Sequence, residues 1–172
     1  MKRDFVKFKI LSCKYHLIKI SSIPIIMFNQ MRKIFCVGSN ITKNHVRYSA
    51  IESKASKNGL VVDAAWYDNF YDRAAELHPL ERKLAYGCDI SRDKNGTNTC
   101  RLAACKNKCF TIEKNDDGSF MAVTKIGDKD CILNFIWVQC TRTVFNWPKI
   151  EFIELFGVDL ETKKEVTERI QL

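Results

Sequence analysis

Six of the eight cysteines of this chain lie in one window of its C-terminal two thirds. They are Cys88, Cys100, Cys105, Cys109, Cys131 and Cys140. Cysteines clustered in this way are typical of small regions that are cross-linked by disulfides, and such cross-links persist in oxidising compartments. The cluster therefore predicts a disulfide-linked region in a protein that works outside the reducing interior of the cell. It does not indicate that the protein catalyses any particular reaction.

The pairing of these cysteines stays open, because six cysteines allow many connectivities. Cys131 and Cys140 lie near the two ends of one strand-like run. They cannot reach each other if that run is extended, because a strand rises about 3.3 Å per residue. Each is expected to pair outside its own strand. One bridge across a loop of this size would stabilise the region by roughly 3–4 kcal/mol.

From Cys109 onward the hydrophobic pattern has the period of β-strands. Asp117-Gly118 separates two such runs and is a strong hairpin signal. A second turn follows at Gly127, and Pro148 interrupts the next run. The pattern predicts an antiparallel β-meander of four strands, at residues 109–114, 119–126, 131–144 and 150–158.

Residues 44–86 have helical signals instead. Asn44 can cap a helix that begins at His45, and Asn58-Gly59 would end it. Asp63 can cap a second helix, and residues 80–86 fit a third short one. An aromatic face at helical spacing belongs to the second helix, and aromatic residues at this spacing usually fill a core. That face consists of Trp66, Tyr67, Phe70 and Tyr71.

The expected fold class is therefore α+β, a small helical block followed by a disulfide-linked antiparallel β-meander. Four regions are predicted. They are a basic leader or signal segment at 1–39, a helical region at 40–87, a cysteine-rich antiparallel β region at 88–158, and a polar tail at 159–172 that is frayed or forms a short helix.

Positive charge is concentrated at the N-terminus. Residues 1–60 carry 12 basic and 2 acidic residues, a balance of +10, whereas the remaining residues carry 28 − 12 = 16 basic and 20 − 2 = 18 acidic residues, a balance of −2. A nucleic-acid-binding protein more often has its basic surface on the folded domain, so this distribution favours a targeting segment or a basic arm. No apolar run is long enough for a transmembrane span.

Two triplets fit the acceptor sequence for N-linked glycans, at Asn40 and at Asn95. Asn95 lies in a polar stretch between two cysteines, where a glycan would find room. Glycans and disulfides both belong to exported proteins. The sequence therefore predicts an extracellular or cell-surface location.

The cysteine spacing also carries a family resemblance. Cys105 and Cys109 are followed, after a hairpin, by Asp130-Cys131, then by 138–141 around Cys140, and then by the strand-like run that contains Phe152. This arrangement over residues 88–158 resembles the six-cysteine C6 domain of nematode extracellular proteins. The resemblance implies a secreted or surface module with no assigned activity.

The motifs of common catalytic and metal sites are absent from the sequence. Cys100, Cys105 and Cys109 have no second pair of cysteines at zinc-finger spacing, and all three histidines lie outside the cluster. The stretch 93–97 is similar to the middle of a calcium-binding loop but lacks its bidentate glutamate, so a polar turn is expected. We therefore predict no catalytic residue, no metal site and no cofactor.

The favoured function is a secreted or cell-surface, disulfide-rich binding or structural module without catalytic activity. Its partner is unidentified, and an extracellular protein or a glycan is the expected kind, whereas the charge distribution argues against nucleic acid. The alternative is an intracellular protein with reduced cysteines, whose basic arm binds nucleic acid or an acidic membrane surface. A third candidate is a small hydrolase, which would need His78 beside a cysteine or serine and an acidic residue.

Overall fold

A computed structural model of the chain describes residues 31–68, 73–142 and 148–171. These residues form eleven strands, one short helix and one π-helical turn. The strands are β1 (Arg32–Ser39), β2 (His45–Glu52), β3 (Leu60–Asp68), β4 (Arg73–Glu76), β5 (Cys88–Arg92), β6 (Asn98–Leu102), β7 (Cys105–Lys114), β8 (Phe120–Ile126), β9 (Lys129–Arg142), β10 (Pro148–Asp159) and β11 (Glu165–Gln171). Helix α1 (Pro79–Glu81) leads into the π-helical turn Arg82–Tyr86.

Strand β9 is the centre of the sheet. Along one edge it pairs antiparallel with β10, which in turn pairs with β11. Along its other edge it pairs antiparallel with β8 through its first residues and parallel with β1 from Phe135 to Val138. The sheet thus divides at β9 into a first arm, β1-β2-β3-β4, and a second arm, β8-β7-β6-β5.

The two arms face each other and enclose the core. The Phe35 ring from β1 stacks on Tyr48 from β2 at 4.4 Å and lies 5.6 Å from Phe110 of the second arm. All three residues are almost completely buried. The Tyr48 hydroxyl donates to the Tyr86 carbonyl at 2.8 Å, so the ring satisfies its one polar group inside the core. Burial of rings of this size contributes about 1.5–3 kcal/mol each.

The predicted helical block is wrong, and with it the α+β fold class. Residues 45–52 and 60–68 are strands that pair antiparallel over their whole length. Val46, Tyr48 and Ala50 point into the core, which is the period of two that a half-buried strand requires. Asn58-Gly59 is the turn between these strands rather than a helix end.

The proposed helix caps take other roles. Asn44 precedes strand β2, and Asp63 accepts a hydrogen bond from the Arg82 guanidinium at 2.6 Å. Trp66 packs on the core and meets Tyr86 edge-on at 5.3 Å, as a core residue should. Tyr67 points to the opposite side, where the Arg47 guanidinium lies 5.2 Å from its ring centre. Phe70, Tyr71 and residues 1–30 of the leader lie outside the described residues.

The four strands predicted after Cys109 are present as β7, β8, β9 and β10, and successive strands pair antiparallel. The first hairpin turns at Gly118, whose φ of 78° suits glycine. The predicted tail is wrong, because residues 165–171 form strand β11 and its Val166 and Ile170 pack on the core. None of the helices among the described residues is long and apolar enough to cross a membrane.

Candidate functional site

An open cleft of about 500 Å³ lies where β9, β10 and β11 run side by side. It is on the outer face of the sheet, the face turned away from the core between the two arms. Its walls are aromatic and acidic. The lining includes Asn134, Phe135, Trp137, Glu154, Phe156 and Glu165.

A β-bulge places the aromatic rings on this face. Phe156 of β10 lies opposite Phe135, but the next residue, Gly157, lies opposite Leu133, so Asn134 is an extra residue in β9. A bulge redirects the side chains that follow it. Leu133 and Ile136 therefore both reach the core, while Phe135 is only partly buried and lies in the cleft wall.

The rings form a connected group. Phe135 lies 6.4 Å from Trp137 with nearly parallel planes, and 6.1 Å from Phe156 at a steep angle. His45 of β2 meets Phe135 edge-on at 5.3 Å. Gly38 makes this approach possible, because a Cβ there would lie 2.6 Å from the His45 ring and 2.7 Å from Phe135.

Two carboxylates lie beside the rings. Glu154 accepts hydrogen bonds from the Arg169 guanidinium at 2.7 and 2.8 Å, and that guanidinium also lies 4.1 Å above the Phe152 ring. Glu165 is exposed, and no ion pair reaches it within the described part of the chain. The cleft therefore has one neutralised carboxylate and one that is left to solvent.

The cysteines among the described residues do not form the predicted disulfides in this structure. The seven cysteines within the described ranges all have free thiols, and none lies directly opposite another across a strand pair. Cys131 and Cys140 are core residues, and burial raises the pKa of the Cys140 thiol. Cys88 and Cys100 lie diagonal to each other on the paired strands β5 and β6, and the interaction with the Cys88 thiol, together with burial, raises the pKa of the Cys100 thiol.

Cys105 and Cys109 flank the first residues of β7. Cys109 is exposed on the outer face of the second arm, where the Arg101 Nε donates to its sulfur at 2.8 Å. Cys105 is partly buried, and burial raises the pKa of its thiol. The structure therefore distributes the six clustered cysteines over both faces and several strands. Disulfide formation stays a prediction.

The two glycan acceptor sites differ in their surroundings. Asn95 is exposed in the turn between β5 and β6, where its backbone amide donates to the Asp93 carboxylate. Asn40 instead uses both ends of its amide, because Nδ2 donates to the Cys140 carbonyl and Oδ1 accepts from the Cys140 amide, each at 2.8 Å. A glycan on Asn40 would occupy the nitrogen that makes the first of these bonds.

The remaining candidate groups have local structural roles. Asp93 accepts from the amides of Asn95 and Thr97, which makes residues 93–97 a polar turn. His78 is exposed and caps helix α1 by accepting from the Leu80 amide. Across the described ranges, no group of three or more His, Cys, Asp or Glu side chains could hold a metal ion.

Comparison with known families gives one match. The model of a family described as a domain of unknown function, DUF4833, matches residues 35–169. The match runs from β1 into β11 and covers most of the chain. The chain belongs to the DUF4833 family. The aromatic cleft lies entirely within the DUF4833 match, and no curated protein or solved structure matches the chain.

Sequence reasoning missed this cleft of the DUF4833 domain. Phe135 and Trp137 were part of a run interpreted as a central strand, which would be covered on both faces. The available signal was the alternation of large groups in the next run, where Phe152, Glu154 and Phe156 occupy every second position. Such a row predicts that one face of the strand carries rings and a charge, which a core does not accept.

Proposed function

We propose that this DUF4833 domain is a binding module without catalytic activity that holds its ligand in the aromatic cleft. One observation carries the proposal. Phe135, Trp137 and Phe156 line an open cleft on the outer face, although the core between the arms is filled by other residues. Aromatic groups left beside an open concavity mark binding sites in many proteins.

The surroundings of the cleft support binding better than catalysis. The polar side chains in its lining are two carboxylates, the Asn134 amide and the Thr167 hydroxyl, with no histidine, cysteine or lysine among the described lining residues. The histidine nearby packs edge-on against Phe135. An acyl- or phosphoryl-transfer site needs a nucleophile beside a base. In contrast, a rigid wall of rings held by a central strand is suited to a ligand with a flat or apolar surface.

The location forms the second half of the proposal. We infer that the protein is secreted or displayed at the cell surface, with a glycan at Asn95 and a disulfide between Cys88 and Cys100. The exposed turn around Asn95 and the diagonal placement of the two cysteines on the paired strands β5 and β6 support this view. Free thiols elsewhere are what the intracellular alternative expects, so the mass of the native protein with and without reductant separates the two.

Binding can be tested by NMR with fragments of three chemical classes. We suggest chitobiose as a sugar, indole-3-propionamide as a flat neutral ring, and tetramethylammonium as a cation. We expect at least one of them to shift the Trp137 indole signal, and we expect the Phe135→Ala/Phe156→Ala variant, which keeps Trp137 as the reporter, to lose that shift. Met121→Ala, on the outer face of β8, is the matched control. Failure of all three classes to perturb the cleft would contradict the proposal.

A further inference from the structure

We propose that the aromatic cleft binds the trimethylammonium group of a small cation of the choline type. This inference rests on the proposed binding function and names its ligand class. It is based on the pairing of β9 with β10. Trp137 lies directly opposite Glu154, and Phe135 lies directly opposite Phe156, so three rings and one carboxylate are neighbours on the outer face.

The second carboxylate completes the arrangement from the other side. Glu165 pairs across the strands with Val158, two residues along β10 from Phe156, so it stands on the same face and diagonal to that ring. Phe135 and Phe156 thus lie between Glu154 at one end and Glu165 at the other. Both carboxylates line the cleft together with the rings.

Charge decides between a cation and an anion. An anionic ligand would face the exposed Glu165, and the Arg169 guanidinium is already paired with Glu154 and placed over Phe152. A cation meets the negative faces of the rings and the free carboxylate at once, and both interactions attract it. The cleft is therefore electrostatically complementary to positive charge, although the whole chain has a net charge of +8.

The apolar walls decide which cation fits. A primary ammonium is strongly hydrated. It would lose bound water against the rings of Phe135, Trp137 and Phe156, and only the carboxylates of the cleft could replace those hydrogen bonds. Methyl groups remove that hydration and bring their own apolar surface to the rings, which is how aromatic sites select quaternary ammonium ligands. A sugar needs several hydrogen-bonding partners in fixed positions, and the indole nitrogen of Trp137 already donates to Gln139 at 3.3 Å.

The test compares choline with its neutral isostere, 3,3-dimethylbutan-1-ol, which has the same shape without the charge. Each is titrated into the native protein while the Trp137 indole signal is followed by NMR, with Trp137→Phe used to assign it. Choline should bind with a Kd on the order of 1 mM, as expected for one small group in an open cleft. The neutral alcohol should bind about tenfold more weakly or not at all.

The contribution of the carboxylate charge is tested with a conservative variant that neutralises it. Glu165→Gln keeps the size of an exposed side chain but removes its charge, so it should weaken choline binding several-fold and leave the alcohol unchanged. Glu161→Gln, at an exposed turn residue next to β10, is the matched control and should bind choline as the native protein does.

Two results would overturn the inference. Equal affinity for choline and the alcohol would show that charge has no role, and absence of saturable choline binding would show that the cleft does not accept the group. If choline does not bind but chitobiose or the indole amide still shifts the Trp137 signal, only the proposed ligand class is rejected. If none of the fragments binds, the proposed binding function is rejected as well.

Discussion

The two faces of the β9–β10 pair are built from different kinds of residue. The inner face presents Leu133, Ile136, Ile153 and Leu155, which are buried among other aliphatic groups. The outer face of the same strands presents larger rings that remain partly exposed and are accompanied by carboxylates. Alternation along a strand therefore separates the residues that fill the core from those that we propose to bind a ligand, and we expect each set to be changeable without the other.

The largest test of this separation is a truncation on the inner face. Leu155→Ala removes a fully buried side chain from the centre of the core. We expect the free energy of unfolding to fall by about 2–5 kcal/mol, because a cavity is left behind. Urea denaturation followed by far-UV circular dichroism measures this loss. A loss below 1 kcal/mol would mean that the inner face contributes little to the stability of the fold.

A polar group on the inner face gives a second test, in which the change in stability is expected only at acidic pH. Asp159 is buried at the end of β10. Hydrogen bonds from the Glu161 and Thr162 amides and the ion pair with Lys129 lower the pKa of Asp159 to about 2. Its folded pKa is thus below the unfolded value of about 3.9. The ionised carboxylate therefore stabilises the fold above that value, and this contribution is lost as pH falls towards 2.

Asp159→Asn should accordingly be less stable than the native protein at neutral pH, and the difference should shrink between about pH 4 and pH 2. Urea midpoints measured at several pH values test this. Asp128→Asn, in the exposed turn before β9, is the control. A difference that stays constant over that range would show that Asp159 contributes through shape rather than charge.

The outer face should respond differently to truncation. Phe156→Ala removes a half-buried ring whose ring–ring contact is with Phe135. We expect a loss of about 1 kcal/mol in unfolding free energy, since only a surface contact and part of one ring are removed, together with complete loss of ligand binding. If Phe156→Ala proved as destabilising as Leu155→Ala, the two faces would not be separable.

The smallest effect is expected at the outer-face ion pair. Arg169 is more than half exposed and pairs with Glu154 across β10 and β11. A double-mutant cycle with Arg169→Gln and Glu154→Gln should give a coupling of about 0.2–1 kcal/mol that decreases with added salt. A coupling that does not change with salt would indicate a pair shielded from solvent.

Much of the second half of the chain could be predicted from sequence. β8 and β10 alternate clearly, and Asp117-Gly118 fixes the hairpin between β7 and β8. These are local signals, and they connect neighbouring antiparallel strands, for which local signals are sufficient. Strand β11 was missed because its outward residues are Glu165, Thr167, Arg169 and Gln171, which leave a weak apolar pattern.

The first arm was misassigned for a physical reason. Val46 and Ala50 are four residues apart, a spacing that fits one face of a helix and also every second position of a strand. Ala64 and Ala65 favour a helix by intrinsic propensity. In the structure Ala64 is buried in the core and lies opposite Tyr48 across the β2–β3 pair, so tertiary contacts override that propensity.

The candidate site depended on a feature that sequence does not show. Asn134 is an ordinary polar residue in a long apolar run, and nothing local marks it as the bulge. Once the bulge is ignored, strict alternation from Leu133 would put Phe135 and Trp137 in the core. The acidic members were equally hidden, since Glu154 and Glu165 are brought to the same cleft only through the pairing of β10 with β11.

The parallel pairing of β1 with β9 has a consequence for biosynthesis. Asn40 and Cys140, which are joined by two hydrogen bonds at the end of this pairing, are 100 residues apart in the sequence. During translation at about 5–20 residues per second, the first arm would wait roughly 5–20 s for its partner to leave the ribosome. Over that interval the edge of β1 that later pairs with β9 has no partner, so the first arm cannot complete its share of the core until the second half of the chain has been synthesised.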